Sequence, residues 1–356
     1  MRNHEVTRDI KLLNKDGNIT EPGWARKQLL HYKRKHIQAP RFRIKEWDYY
    51  IVIHDGKYDG TESFAAAFTI SDDGYVGLQS VSLLSLTKDP AEHTETILNV
   101  LPMGKLHLPE SSGSGNVVYK DKRLRMSFEK TEDSRIINCS FNNFKDGKKL
   151  IAEIKLEQPD MDTMVIATPF EKDAHFYYNQ KINTMKASGY VILGDVEYKF
   201  NPEYDYGTLD WGRGVWTYDN TWYWGNGNAK VDGHDFGFNI GYGFGDTSAA
   251  SENIIFVDGV AHKLDDVDFG IPNDKDPKDM DSPAYDKPWK MTSSDGRFEM
   301  RFVPILDRFA KMDFKVIVSD QHQVFGRMSG KATLDDGTVL EIKDVLCFAE
   351  KVHNRY

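Results

Sequence analysis

The sequence predicts an all-β protein built from two barrel-like domains. Three observations lead there. Apolar and polar residues alternate at strand period from end to end, Asp-Gly turns separate the alternating runs, and 356 residues with 40% hydrophobic content suffice for about two cores.

The alternation is regular. Leu124, Met126 and Phe128 alternate with Arg123, Arg125 and Ser127, and Leu150, Ala152, Ile154 and Leu156 with Ile151, Glu153 and Lys155. Phe298, Met300 and Phe302 alternate with Arg297, Glu299 and Arg301, and Met312, Phe314, Val316 and Val318 with Lys311, Asp313 and Lys315. Side chains on a strand point to opposite faces in turn, so each run is a strand with one buried face.

Asp-Gly pairs at 55–56, 59–60, 73–74, 146–147, 258–259, 295–296 and 336–337 supply the turns. Gly accepts positive φ and Asp bonds its own backbone, which suits hairpins. Helical segments are expected to be few and short, the best candidates being 24–36 and 91–100. Many closely spaced strands predict a sandwich or barrel, and closing a sheet into a barrel removes its edges. A boundary is expected near residue 190, where Ala187-Ser188-Gly189 interrupts the pattern, giving domains 1–190 and 191–356. Residues 270–288, rich in Asp, Pro and Lys, read as an exposed loop.

Charge excludes some functions. The net charge of −9 disfavours a nucleic-acid binder, which needs a cationic surface. The local exception is 21–45, with eight Lys/Arg against Glu21 alone. Such a stretch could meet RNA or an anionic membrane. The expectation is instead a strand entering the first barrel, with Phe42 and Ile44 alternating with Arg41, Arg43 and Lys45. Two cysteines, Cys139 and Cys347, make no disulfide framework, and the polar start MRNHEVTRDI has no signal-peptide core. With no apolar run of membrane-spanning length, the expectation is a cytoplasmic protein.

Residues 204–245 carry ten Gly and twelve aromatics, among them four of the seven Trp. Along 236–245, Phe236, Phe238, Ile240, Tyr242 and Phe244 share one face, while Gly237, Asn239, Gly241, Gly243 and Gly245 share the other. A glycine face leaves volume that a close-packed protein must fill. Indoles of Trp222 and Trp224 could fill it, or a ligand could.

Asp210-Trp211-Gly212-Arg213-Gly214-Val215-Trp216, the Gly-rich strand and the segment Ser251-Glu252-Asn253 to His262 resemble a bacterial domain-of-unknown-function family, 2804. Gly23-Trp24-Ala25-Arg26, Trp47-Asp48-Tyr49-Tyr50, the element from Tyr178 to Lys181, and the tail Glu350 to Tyr356 extend the likeness over nearly the whole chain. The tail departs in ending with Tyr356 where the family pattern has Trp. That family is similar to the tandem-lipocalin group of carotenoid hydratase, tocopherol cyclase and fungal Diels–Alder cyclases. The resemblance implies two tandem lipocalin-like antiparallel barrels and no established activity.

Other motifs fail on context. Gly241-Tyr242-Gly243-Phe244-Gly245 has no helix after it to hold a pyrophosphate. Asp274, Asp276, Asp279 and Asp281 lack the Gly and Glu of a calcium loop, and no zinc spacing occurs, so no metal or cofactor is expected.

Two functions fit the residues. In one, a barrel pocket binds an apolar or amphipathic small molecule between aromatic walls. The binding candidates are Lys181, Trp211, Arg213, Trp216, Trp222, Trp224, Asn239 and Asn253. Arg213 or Lys181 would meet a carboxylate head group, the equal alternative for Arg213 being a structural ion pair with Asp210. In the other, the protein is a cofactor-independent isomerase, cyclase or hydratase of an unsaturated apolar substrate. Asp210 or Glu350, kept protonated by burial, would donate to an alkene, and the Trp faces would stabilise the cation. Glu350 shares the strand face of Leu346 and Phe348, which brings it to the apolar side or to its rim.

Overall fold

A computed structural model describes residues 2–273, 282–313 and 318–355. The acidic run from Asp274 and part of the Met312–Val318 alternation lie outside the described residues.

Two curled antiparallel sheets make up most of the molecule, each wrapped around its own core. In the first, the strand order is Ala91–Val100, Val76–Ser85, Phe64–Asp72, Ile44–His54, Tyr206–Val215, Phe176–Leu193, Lys148–Glu157, Ser134–Lys145, Leu124–Lys130, Val117–Lys120. Its ends meet through side chains. Arg123 donates to Glu95 at 2.7 Å, His93 contacts the Phe144 carbonyl at 2.7 Å, and the Tyr119 hydroxyl lies 3.3 Å from Asn99. The second sheet runs Val260–Lys263, Ile254–Val257, His234–Tyr242, Asp219–Val231, Val339–Arg355, Val318–Thr333, Phe298–Asp313, Trp289–Ser293, Val267–Asp268.

Asp-Gly turns join neighbours in both sheets, as at 146–147 and 258–259, with Gly φ of 79° at each. Among the described residues, no helix is long and apolar enough to cross a membrane.

Three sequence expectations change. Residues 91–100 form a strand because Glu92, Thr94 and Thr96 alternate with His93, Glu95 and Ile97 across the sheet. The span 24–36 holds short strands at Gly23–Ala25 and Leu30–His31 and only a 3-10 turn at Arg34–His36. Arg41–Arg43 is also a 3-10 turn, so the strand begins at Ile44, and Phe42 is exposed instead of sharing a buried face.

The interruption at 187–189 does not end a domain. It lies within the continuous strand Phe176–Leu193, where Gly189 at φ 111° lets the backbone of Glu153 approach. The chain passes from the first sheet to the second at 216–218, between Tyr206–Val215 and Asp219–Val231.

Each sheet wraps an apolar core, and a third core joins them. Leu209, Trp211 and Val215 face into the first barrel, and Phe236, Phe238 and Ile240 into the second. Ile51, Ala65, Ala67, Ile166, Tyr177, Phe256, Phe325 and Phe348 pack between the two. Both Arg327–Asp55 contacts, at 3.0 and 2.8 Å, bridge the sheets at one end. Burial on both faces is therefore normal for the central strands of each sheet.

Candidate functional site

A cavity of about 380 Å³ lies in this third layer, between the barrels and outside the interior of either. Such a volume suits a small organic molecule. Trp47 and Tyr49 reach it from Ile44–His54, Tyr177 and Lys181 from Phe176–Leu193, and Asp210 from Tyr206–Val215. The second sheet contributes Trp222, Trp224, Arg308, Gln323 and Glu350, and the crossing segment adds Trp216.

The floor is a charged pair on an aromatic wall. Lys181 Nζ lies 2.8 Å from Asp210 Oδ1 and 4.0 Å from the centroid of Trp224. These two strands are paired at Lys181 and Asp210, so the contact follows directly from register. Asn179 Nδ2 donates to the same Asp210 oxygen at 2.6 Å. Trp224 is fixed in turn by its N–H, which donates to Asn239 Oδ1 at 2.7 Å.

Glu350 stands across from the pair. Its two oxygens accept from Trp222 Nε1 at 3.1 Å and Gln323 Nε2 at 3.0 Å. Burial pushes its carboxyl up to about 7, against the opposing pull of the Trp222 hydrogen bond and the Lys181 charge. A carboxyl in that range can hold a proton at neutral pH and also release it.

Of the residues singled out from the sequence, Asp210, Glu350, Lys181, Trp216, Trp222 and Trp224 line the cavity. Four others lie elsewhere. Trp211 and Arg213 alternate with Asp210 and so face the first barrel. There Arg213 donates to Asp48 at 2.9 Å and to the Pro109 carbonyl at 2.8 Å, stacked over Trp211 at 4.1 Å. Its structural partner is Asp48 in place of Asp210. Asn239 orients Trp224, and Asn253 accepts from the Gly241 N–H at 2.6 Å while donating to the Asp265 carbonyl.

The glycine face of 236–245 is filled by protein: the Trp224 indole meets it at Asn239, and other side chains press on its glycines. A Cβ on Gly237 would meet Asn228 Oδ1 at 2.7 Å and Thr184 Cγ2 at 2.8 Å. One on Gly241 would meet Glu252 Oε1 at 2.3 Å. The bare face brings the second sheet against the bulge of the first, where Asn183 donates to Asn226, Asn228 and the Phe238 carbonyl. It is packing surface, and the cavity lies beyond it.

Several cavity residues escaped the sequence reading. The Tyr177 ring lies parallel to Trp47 and Phe244, and its hydroxyl donates to Glu252 at 3.2 Å. Burial also raises Glu252 to about 7. Arg308 spans the sheets, donating to Glu92 at 3.1 Å, Ser82 at 2.8 Å and Gln323 at 3.1 Å. Lys45 and Asp73 also line the cavity, and burial moves each toward its neutral form. These groups come from separate strands and turns of both sheets, and no local pattern links them. Among the described residues, the buried Trp216 N–H has no hydrogen-bond partner, and the Tyr49 hydroxyl faces Gln323 without completing a good bond.

Among curated proteins, none matches the sequence. Solved structures similar in fold at low identity include the following three. Kievitone hydratase from Nectria haematococca has a TM-score of 0.46 at 9% identity, covering 87% of this chain and 88% of that one. A putative AttH from Nitrosomonas europaea gives 0.43 at 12% identity, with 90% and 96% covered. CghA with Sch210972 gives 0.34 at 8% identity, with 88% of each chain covered. The family model described as a domain of unknown function, DUF2804, matches residues 3–356, and the chain belongs to that family.

Proposed function

We propose that this DUF2804 protein binds an amphipathic small molecule in the cavity between its barrels. The apolar body lies against Trp47, Trp216, Trp222 and Phe244, and the polar end reaches the floor of Lys181, Asp210 and Glu350. A buried polar floor enclosed by indole rings carries the proposal, since a ligand gains most by burying area on aromatics while a few polar groups fix its orientation. Two free, buried cysteines in separate cores fit a reducing compartment, the cytoplasm.

Native mass spectrometry of protein purified from its own host is the direct test. The expected result is a retained small molecule, and tryptophan fluorescence that responds to fatty acids, isoprenoids or aryl ketones. Trp222→Ala should weaken binding about tenfold, the loss of one aromatic contact. Absence of any retained molecule together with a silent fluorescence titration across all three classes would refute the proposal.

A second reading rests on Glu350. Its protonated carboxyl would transfer H⁺ to an alkene carbon, leaving a carbocation and a Glu350 carboxylate. Loss of a neighbouring proton, internal attack, or capture of water followed by deprotonation then returns H⁺ to the carboxylate. These outcomes are isomerisation, cyclisation and hydration, with the indole faces stabilising the cation by about 0.5–2 kcal/mol each. Glu350→Gln should abolish turnover while leaving ligand binding within about twofold. Equal turnover in that variant excludes Glu350 as the acid.

A further inference from the structure

The cavity opens beside a cluster of exposed apolar side chains that neither barrel core uses. Leu98, Val100 and Leu101 are 64, 82 and 56% exposed, and Phe42 and Tyr218 are 47% exposed each. Isolated exposed apolar residues are ordinary, but a contiguous group of this kind marks an interaction surface.

The group is contiguous. Leu98 pairs opposite Leu78, and Val100 opposite Val76, so both side chains extend the sheet face on which Leu78 lines the cavity. The Leu101 N–H donates to the Tyr75 carbonyl at 2.8 Å and that of Met103 to the Gly74 carbonyl at 2.9 Å. Gly74 lies against the backbone of Phe42. Arg43 donates to the Trp216 carbonyl at 2.5 Å, drawing the segment of Tyr218 onto the same hairpin, and Tyr218 itself lines the cavity.

Cations border this lip. Lys35, Arg41 and Lys105 are exposed, whereas the Arg34 guanidinium beside Gly104 is held in an ion pair with buried Glu46. Neither 31–45 nor 96–109 contains an Asp or Glu, although the chain carries a net −9. Acids of the lip strand, Glu92 and Glu95, sit toward its other end, bonded to Arg308 and Arg123. Apolar side chains ringed by basic ones match the boundary of an anionic bilayer, where rings and aliphatic groups enter the interface and cations meet the headgroups.

We propose that this lip docks on an anionic phospholipid surface, with the cavity mouth turned toward the lipid. The proposal stands on the surface alone, so docking and cavity binding succeed or fail separately.

Flotation of the full chain with vesicles tests it, using phosphatidylcholine alone and phosphatidylcholine containing about a quarter phosphatidylglycerol. Expected is binding to the anionic vesicles, at least about tenfold weaker on neutral ones and lowered by high salt. Leu98→Asp with Val100→Asp should abolish flotation, as should Arg41→Glu with Lys105→Glu, while Val339→Asp on a distant exposed site should not. Circular dichroism of each variant checks that exposed substitutions leave the fold intact. Failure of the wild type to float, or flotation unaffected by both pairs, overturns the proposal. A further overturning result is sedimentation showing a wild-type dimer that Leu98→Asp converts to monomer without any vesicle binding. Because Ala91–Val100 is a terminal strand, that outcome would assign the lip to edge pairing between copies.

Discussion

The Lys181 ammonium and the Asp210 carboxylate meet at 2.8 Å on paired strands, with relative side-chain exposures of only 2% and 10%. A charge so placed depends on its partner, since neither is fully solvated. Asp210→Asn leaves Lys181 buried without its counter-ion and should cost about 3–5 kcal/mol in denaturant unfolding. Replacing both together, as Lys181→Met with Asp210→Leu, should recover most of that loss. A single-variant cost below about 1 kcal/mol would mean that the cavity hydrates the pair.

Glu350 links stability to pH. Its carboxyl titrates near 7 in the folded chain against an ordinary value of 4.5. The folded state therefore holds the extra proton between these values. The resulting stability is fully present below about pH 4.5 and is lost as pH rises through about 7, on the order of 3 kcal/mol. Glu350→Gln should remove that part of the slope, measured as urea unfolding at about pH 5 and about pH 8. Glu252, raised by burial in the same way, retains its own share.

Trp224 joins the cavity wall to the seam between the sheets. Trp224→Phe keeps a ring near Lys181 but deletes the N–H that reaches Asn239. The expected cost is about 1–2 kcal/mol, with ligand affinity falling because the wall is less firmly held. Unfolding and fluorescence titration of one variant separate the two effects.

Gly237→Ala tests the glycine face. The added methyl would press on Asn228 and Thr184, so stability should fall by about 1–3 kcal/mol. Ligand affinity should not change, because the cavity lies elsewhere. A binding defect without destabilisation would return the glycines to the ligand site.

Much of the architecture was legible from side-chain order. Period-two alternation identified strands, and it correctly put Glu350 on the face of Leu346 and Phe348, which belong to the core between the barrels. Residues 91–100, expected as helix, are a strand, and at Phe42 a turn precedes the strand that alternation predicts.

The sequence alone determined that the chain folds as strands, where many of them turn, and which side chains share a face, because those properties are set locally by backbone chirality and turn chemistry. Only the tertiary structure decided which face meets the cavity. Every residue of Tyr206–Val215 is buried, so hydrophobicity cannot tell the barrel interior at Trp211 and Arg213 from the inter-barrel seam at Asp210. That distinction arises when two curled sheets pack together, and it depends on contacts between residues far apart in the chain.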